Sequence, residues 1–333
     1  MAAGPVKDPI QLTVIGGFLG AGKTTLLNRL LRESGDRRLA VLVNDFGAIN
    51  VDAELVQARA GTMVSLKNGC ICCSVGGDFI GELALLRDRP DPPEHVVVEA
   101  SGVADPGAIV VLGDMPGYRK DAAVVVADAE TVRARAEDPS TGPQIVGQLR
   151  AADLLVLNKT DLVGPEQLAE TRAWLRELVG PSTAIVETAF GAVPADVVLG
   201  ARTPGEQAQG RRDDGDRGRD HDGHEHEHDD RDHRRAFDTW SWSGAAPISG
   251  SGLVEELKAL PDGIVRAKGL LHLHEDPANR YILQVVGRRF SIHADRPWRG
   301  DEPASQLVVV GLPGSVDPHE LDATLRRLTA PHA

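Results

Sequence analysis

Residues 17 to 25 read GFLGAGKTT and follow the apolar run IQLTVI at residues 10 to 15. Gly17, Gly22, Lys23 and Thr24 fit the spacing G-x-x-x-x-G-K-T, which predicts a strand, a glycine-rich loop and the first turn of a helix. Each residue type answers a demand made by a polyphosphate. Without Cβ atoms at Gly17, Gly20 and Gly22, successive N–H groups can point inward, and the following helix offers its positive N-terminal end to the same charge. Lys23 adds a mobile positive charge. Thr24 offers a hydroxyl to the magnesium ion that a nucleoside triphosphate brings with it, and Ala21 and Thr25 complete the nucleotide-binding stretch. The alternative is a Gly-rich turn with no ligand. The strand before, the helix LLNRLLRES after and the GKT between them all agree on a phosphate-binding loop.

Outward from this loop, further apolar runs end in polar residues, as buried parallel strands do. RLAVLVNDF (38 to 46) closes on Asn44, Asp45 and Gly47. Ligands gather at the carboxyl ends of strands in open α/β sheets, so Asp45 either binds magnesium indirectly, positions the attacking water, or merely terminates its strand. HVVVEASGVADP (95 to 106) runs into Glu99 and Gly102, and a backbone amide at Gly102 is suited to meet a γ-phosphate and move after hydrolysis. DAAVVVADA (121 to 129) and DLLVLNKTD (153 to 161) are two more strands. The second ends in Asn158, Lys159 and Asp161, the N-K-x-D pattern. One carboxylate accepts both donors of the guanine N1/N2 edge, so Asp161 selects GTP over ATP. TAIVETAF (183 to 190) is a sixth strand whose end neighbours the base. The fold expected is α/β, a P-loop NTPase with a mainly parallel sheet and helices on both faces, plus a small C-terminal α+β domain.

The bulk composition sets limits. At 333 residues, 41% hydrophobic and 26% charged, the chain is long enough for two globular domains. A formal net charge of −13 argues against nucleic acid or an anionic membrane as the main partner. The N-terminus has no apolar core before its first strand, and no stretch approaches the roughly 18 apolar residues of a membrane helix, so a cytoplasmic location is expected.

The three cysteines are Cys70, Cys72 and Cys73, in the segment TMVSLKNGCICCSVGGDF (62 to 79). An odd, clustered set is poor material for structural disulfides and better suited to a soft metal such as Zn²⁺ or Cu⁺. Three thiolates leave one tetrahedral position open, which permits exchange. In an extended segment Cys72 and Cys73 point opposite ways, leaving two or three as ligands at once. From residue 201 the texture becomes charged and poor in apolar residues, which predicts a disordered linker over 201 to 235 between a P-loop domain (8 to 200) and a second unit (236 to 330). Its His221, His224, His226, His228 and His233 either bind metal loosely or belong to a solvated spacer. The second unit reads as strand FDTWSWS, helix SGLVEELKAL, strands around IVRAKGLLHLHE, RYILQVVGRRFSIHA and QLVVVGL, and helix DPHELDATLRRL, with helices on one face of a mainly antiparallel sheet. Trp240, Trp242 and Trp298 read as core, and His272, His274 and His293 as residues alternating on strands.

With GFLGAGKTT, VNDFG, GCICC, EASGVADP and NKTD in this order, the chain closely resembles the CobW-type metallochaperone GTPases of the SIMIBI class, and R-A-K-G at 266 to 269 is similar to the CobW C-terminal domain. The resemblance implies GTP-dependent delivery of zinc, or in some members cobalt, to a client apo-metalloprotein, with a nucleotide-dependent homodimer as a candidate assembly. By matching positions, Cys70, Cys72 and Cys73 carry the metal, while Gly17 to Thr25 with Asn158, Lys159 and Asp161 hold GTP. Lys23, Thr24, Asp45 and Glu99 are the candidate catalytic set. This chain departs from many members in having Asp45 where they have Glu, and Ala48 where they have a further Glu. Its alternatives are cobalt or iron delivery for cobamide synthesis or a metallohydratase, and a metal store with no delivery role.

Overall fold

The computed structural model describes residues 8–43, 63–65, 77–204, 237–298 and 302–330. Contacts divide the chain into two units, Met1–Ala195 and Asp196–Ala333. Among the described residues no helix is long and apolar enough to cross a membrane.

The first unit is built on seven strands: β1 (Ile10–Gly16), β2 (Leu39–Val43), β3 (Met63–Ser65), β4 (His95–Glu99), β5 (Tyr118–Asp128), β6 (Leu154–Asn158) and β7 (Ala184–Glu187). Their order is β3-β2-β4-β1-β5-β6-β7, and neighbouring strands pair in parallel. The chain leaves β1 toward one side of the sheet and later fills the other from β5 onward. The carboxyl end of β1 is therefore the point where the winding reverses, the position at which open α/β sheets bind ligands. Continuous apolar runs suit strands covered on both faces. On one face Leu12, Val14, Leu42, Val96 and Val98 meet Phe79, Leu83 and Leu86 of the helix Gly77–Arg87. Farther along the same face, Val125, Leu155 and Leu157 meet Ile145 and Leu149 of the helix Gly142–Arg150, here α5 in chain order. Residues of the opposite parity, Ile15, Val41, Val97, Val124 and Val156, are just as buried. The first helix, α1 (Lys23–Glu33), buries Leu26, Leu27, Leu30 and Leu31, each worth roughly 1.5–3 kcal/mol of transfer free energy.

The second unit is a five-stranded sheet of order β11-β10-β9-β12-β8, from β8 (Asp238–Gly244), β9 (Ile264–His272), β10 (Asn279–Val286), β11 (Arg289–Pro297) and β12 (Ser305–Gly311). All pairings of these strands with one another are antiparallel. The stretch RYILQVVGRRFSIHA is a hairpin, not one strand, turning at Gly287 with φ 57°. Trp240, Leu271, Leu283 and Val309 share one face with Leu253 and Leu257 of the helix Gly250–Lys258 and Leu325 and Leu328 of the helix Pro318–Leu328. Trp242 packs against the same cluster, and Trp298 is 8% exposed.

Candidate functional site

The loop after β1 has a backbone that only glycine accepts at two places. Gly17 has φ 132°, and a Cβ there would lie 2.2 Å from the Val126 carbonyl oxygen. Gly22 has φ 107°, and its Cβ would lie 2.3 Å from Asn158 Nδ2. Lys23 is the first residue of α1 and is 8% exposed. Its Nζ donates to Phe18 O at 3.5 Å, which holds the ammonium against the loop. Arg135 braces the outer side, donating to Leu19 O at 3.1 Å and lying 5.2 Å over the Phe18 ring. Ala21 is buried and Thr25 is exposed. Loop amides, a helix N-terminus and a lysine ammonium belong to one short loop, an arrangement suited to a polyphosphate.

Beside it stands the end of β4. Thr24 Oγ1 donates to Glu99 Oε1 at 2.8 Å, and Glu99 is 2% exposed. A hydroxyl and a carboxylate this close form an oxygen donor pair of the kind magnesium takes, directly or through water. The chain then runs through Ala100, whose N–H donates to Ile15 O at 2.9 Å, to Gly102. A Cβ at Gly102 would lie 2.7 Å from the Leu19 side chain and 2.9 Å from the Leu19 nitrogen, so this segment rests directly on the phosphate-loop backbone. Helix α5 fixes it there. Gln148, 3% exposed, donates from Nε2 to Gly102 O at 3.1 Å and Ala104 O at 2.8 Å, and Gln144 Nε2 donates to Val103 O. Asp105 caps the following short helix through Gly107 N at 2.8 Å.

At the other end of the loop, Asn158 closes β6 and is 2% exposed. Its Nδ2 donates to Ala21 O at 2.9 Å and its Oδ1 accepts from Gly191 N at 2.9 Å. One side chain thereby ties the phosphate loop to both N-K-T-D and the loop after β7. Lys159 adopts a left-handed backbone with φ 62°, and its Nζ donates to Asp128 Oδ2 at 2.7 Å. Thr160 N donates to Thr188 O at 3.1 Å. Asp161 is exposed in the tight turn Thr160–Leu162, open to a ligand edge. The strand expected over 153 to 161 thus ends at Asn158, and Lys159, Thr160 and Asp161 form the turn beyond it.

Gly17, Gly20, Ala21, Gly22, Lys23, Thr24, Glu99, Gly102, Asn158, Lys159 and Asp161 therefore lie on strand ends, the first turn of α1 and the neighbouring loops at the carboxyl edge of one sheet. Asp45, Cys70, Cys72, Cys73 and His221, His224, His226, His228 and His233 lie outside the described residues. Among the described residues no group of three or more His, Cys, Asp or Glu is placed to hold a metal. His272 is turned to Ala245 O (3.1 Å) and packs edge-on to Trp298 at 5.9 Å. Sequence reasoning passed over Asp128, Gln144 and Gln148. Asp128 had a signal, as the polar end of AAVVVAD. A glutamine on an amphipathic helix has none.

Comparison with known proteins agrees with this geometry. Residues 11–186 match the family model "CobW/HypB/UreG, nucleotide-binding domain", and residues 237–329 match the "Cobalamin synthesis protein cobW C-terminal domain". The chain is 34% identical to a Pseudomonas aeruginosa protein named zinc chaperone CobW, over 92% of this chain and 89% of that one. It is 31% identical to a Sinorhizobium protein of the same name, over 95% of each, and 30% identical to zinc chaperone YjiA of Escherichia coli, over 92% of this chain and 95% of that one. With a family model spanning more than half of its length and relatives aligned nearly end to end, the chain belongs to the CobW/HypB/UreG family of P-loop GTPases and carries the CobW C-terminal domain.

Proposed function

We propose that this GTPase is a zinc metallochaperone: it holds Zn²⁺, or a similar divalent metal, on Cys70, Cys72 and Cys73 and passes it to a client apo-metalloprotein under control of the bound nucleotide. The observation that carries this reading is the contact between Gly102 and Leu19 beside the Thr24–Glu99 hydrogen bond. The segment that follows β4 touches the phosphate loop, so the presence or loss of a γ-phosphate reaches it directly. The cysteine loop precedes β4 in sequence, between the Asp45 and Glu99 segments. Three clustered thiolates supply a soft, exchangeable donor set, and the relatives that align end to end are named zinc chaperones.

In this reading Gly17 to Thr25 cradle the phosphates, Lys23 neutralises charge between β- and γ-oxygens, and Asp161 reads the guanine edge. Asn158 and Lys159 position those elements. Thr24 and Glu99, with Asp45, would hold magnesium, which would offset the charge on the transferring phosphoryl group. Water attacks the γ-phosphorus, the bond to the β–γ bridging oxygen breaks, and GDP and phosphate leave. The Gly102 segment then loses its γ-phosphate contact and the cysteine loop its fixed geometry, which favours transfer to a docked client.

The test is a competition titration of zinc and cobalt against a calibrated chelator, with GDP and then with a non-hydrolysable GTP analogue. Zinc affinity rises by about tenfold with the analogue, equivalent to about 1.4 kcal/mol of coupling, and the rise disappears in Cys72→Ser. Linkage requires that zinc tighten the analogue by the same factor. Metal affinity indifferent to nucleotide sinks the gating mechanism. Lys23→Ala separates delivery from storage, since a store keeps its capacity and a carrier loses client activation.

A further inference from the structure

We infer that Phe190 is the stacking wall of the base site, its ring covering one face of the purine of the bound guanine nucleotide. This rests on the reading of N-K-T-D as the base-binding turn. Phe190 is 73% exposed and has φ 54°, and Gly191 after it has φ 62°. A left-handed backbone is an outlier for a bulky residue, and an exposed aromatic ring gains no burial to offset it. Strain of this kind persists where surrounding contacts enforce it and the position has a use.

Those contacts run to the nucleotide-binding elements. Thr188 N donates to Leu157 O at 2.9 Å, Thr160 N donates to Thr188 O at 3.1 Å, and Gly191 N donates to Asn158 Oδ1. Residues 188 and 191 are thereby pinned to the two ends of the N-K-T turn, and 189 and 190 bridge between them. The inner side of the bridge is closed, since a Cβ on Gly191 would lie 3.1 Å from the Leu26 backbone of α1. The fold thus holds a large planar apolar ring in solvent, two residues past Thr188, whose carbonyl accepts from Thr160 N in the turn that carries Asp161. Asp161 accepts hydrogen bonds in the plane of a base, which leaves the base faces to be covered by something flat and apolar. A phenyl ring does this without distinguishing one purine from another.

Ribose-labelled fluorescent GDP is titrated into the full chain and into Phe190→Ala, Phe190→Gly and Phe190→Tyr, with saturation-transfer NMR from aromatic protons to the GDP H8. Alanine and glycine variants bind about tenfold more weakly and tyrosine stays near wild type. The H8 transfer seen in wild type is lost in Phe190→Gly, whose nucleotide-free melting temperature stays at or above that of wild type because glycine relieves the positive φ. If the alanine and glycine variants bind GDP like wild type, the ring serves another partner and the inference is overturned. A fall in nucleotide-free melting temperature for glycine, with tyrosine binding as weakly as alanine, makes the role structural and overturns it too. Wild type that fails to bind GDP overturns instead the guanine reading on which the inference rests.

Discussion

At the residue scale the site depends on Asn158 more than its place in a base-recognition motif suggests. Its side chain amide satisfies a buried carbonyl of the phosphate loop and a buried amide of the loop after β7 at once. Alanine leaves both groups without their partner in a place water does not reach, at about 1–3 kcal/mol each. Asn158→Ala is therefore expected to lower the unfolding free energy by about 2–6 kcal/mol and to weaken GDP binding, since Ala21 and Gly191 both lose their anchor. Urea melts and nucleotide titration of the same variant check this. Unchanged stability with weakened binding would mean that Asn158 acts on the ligand alone. The Lys159–Asp128 pair differs in kind. With side chains 32% and 10% exposed, it is partly screened, and its main effect is to fix the direction of the Lys159 stem.

At the element scale one helix of the second unit is held by a carboxylate that arrives from elsewhere in the chain. The helix Gly250–Lys258 starts with two amides, Gly250 N and Ser251 N, donating to Glu275 at 2.9 and 3.1 Å. Burial lifts the Glu275 pKa, the hydrogen bonds from Gly250 and Ser251 lower it, and the net shift is downward. A carboxylate whose folded pKa lies below its unfolded value contributes stability that is present above the unfolded value, about 4.3, and is lost as pH falls through the folded one. Glu275 is exposed and its charge is screened, so Glu275→Gln should cost only about 0.5 kcal/mol at pH 7, with the gap closing in acid as the pH falls below about 4.3. Paired denaturant melts at neutral and acid pH test it, and a gap that persists in acid would assign the loss to shape and not to charge. Nothing in the local sequence pairs Glu275 with Gly250, and the same holds for Gln148 with Gly102. Parallel strands are legible because a core on both faces demands unbroken apolar runs such as HVVV and LLVL. The phosphate loop is legible because glycine, lysine and threonine recur at a fixed spacing. A polar side chain that reaches across 25 or 46 residues leaves no local mark. The reversal at Gly287, within the stretch from Arg280 to Ala294, was not read from the sequence, because apolar residues continue on both sides of it.

At the scale of the whole molecule the two units each have their own core, and the change in composition at residue 201 does not coincide with the division by contacts at Ala195. Arg266 accounts for the difference. It stands on β9 and is 2% exposed, and it donates to Val197 O at 2.9 Å and also to Val198 O. The residues just before the charged stretch thus belong physically to the second unit, reached across more than sixty positions of sequence. A guanidinium buried to this degree needs its acceptors, and removing them leaves desolvated N–H groups at a cost of about 3–5 kcal/mol. A fragment beginning at Asp196 should therefore unfold cooperatively, while one beginning at Phe237 is less stable by about that amount. Arg266→Met tells the two causes apart. In the longer fragment it leaves Val197 O and Val198 O unmatched and destabilises. In the shorter one it removes a buried charge that has lost these two acceptors and recovers part of the stability. Fragments of equal stability would show instead that water reaches Arg266 once residues 196–204 are gone, and that those residues serve as a cover more than as a partner.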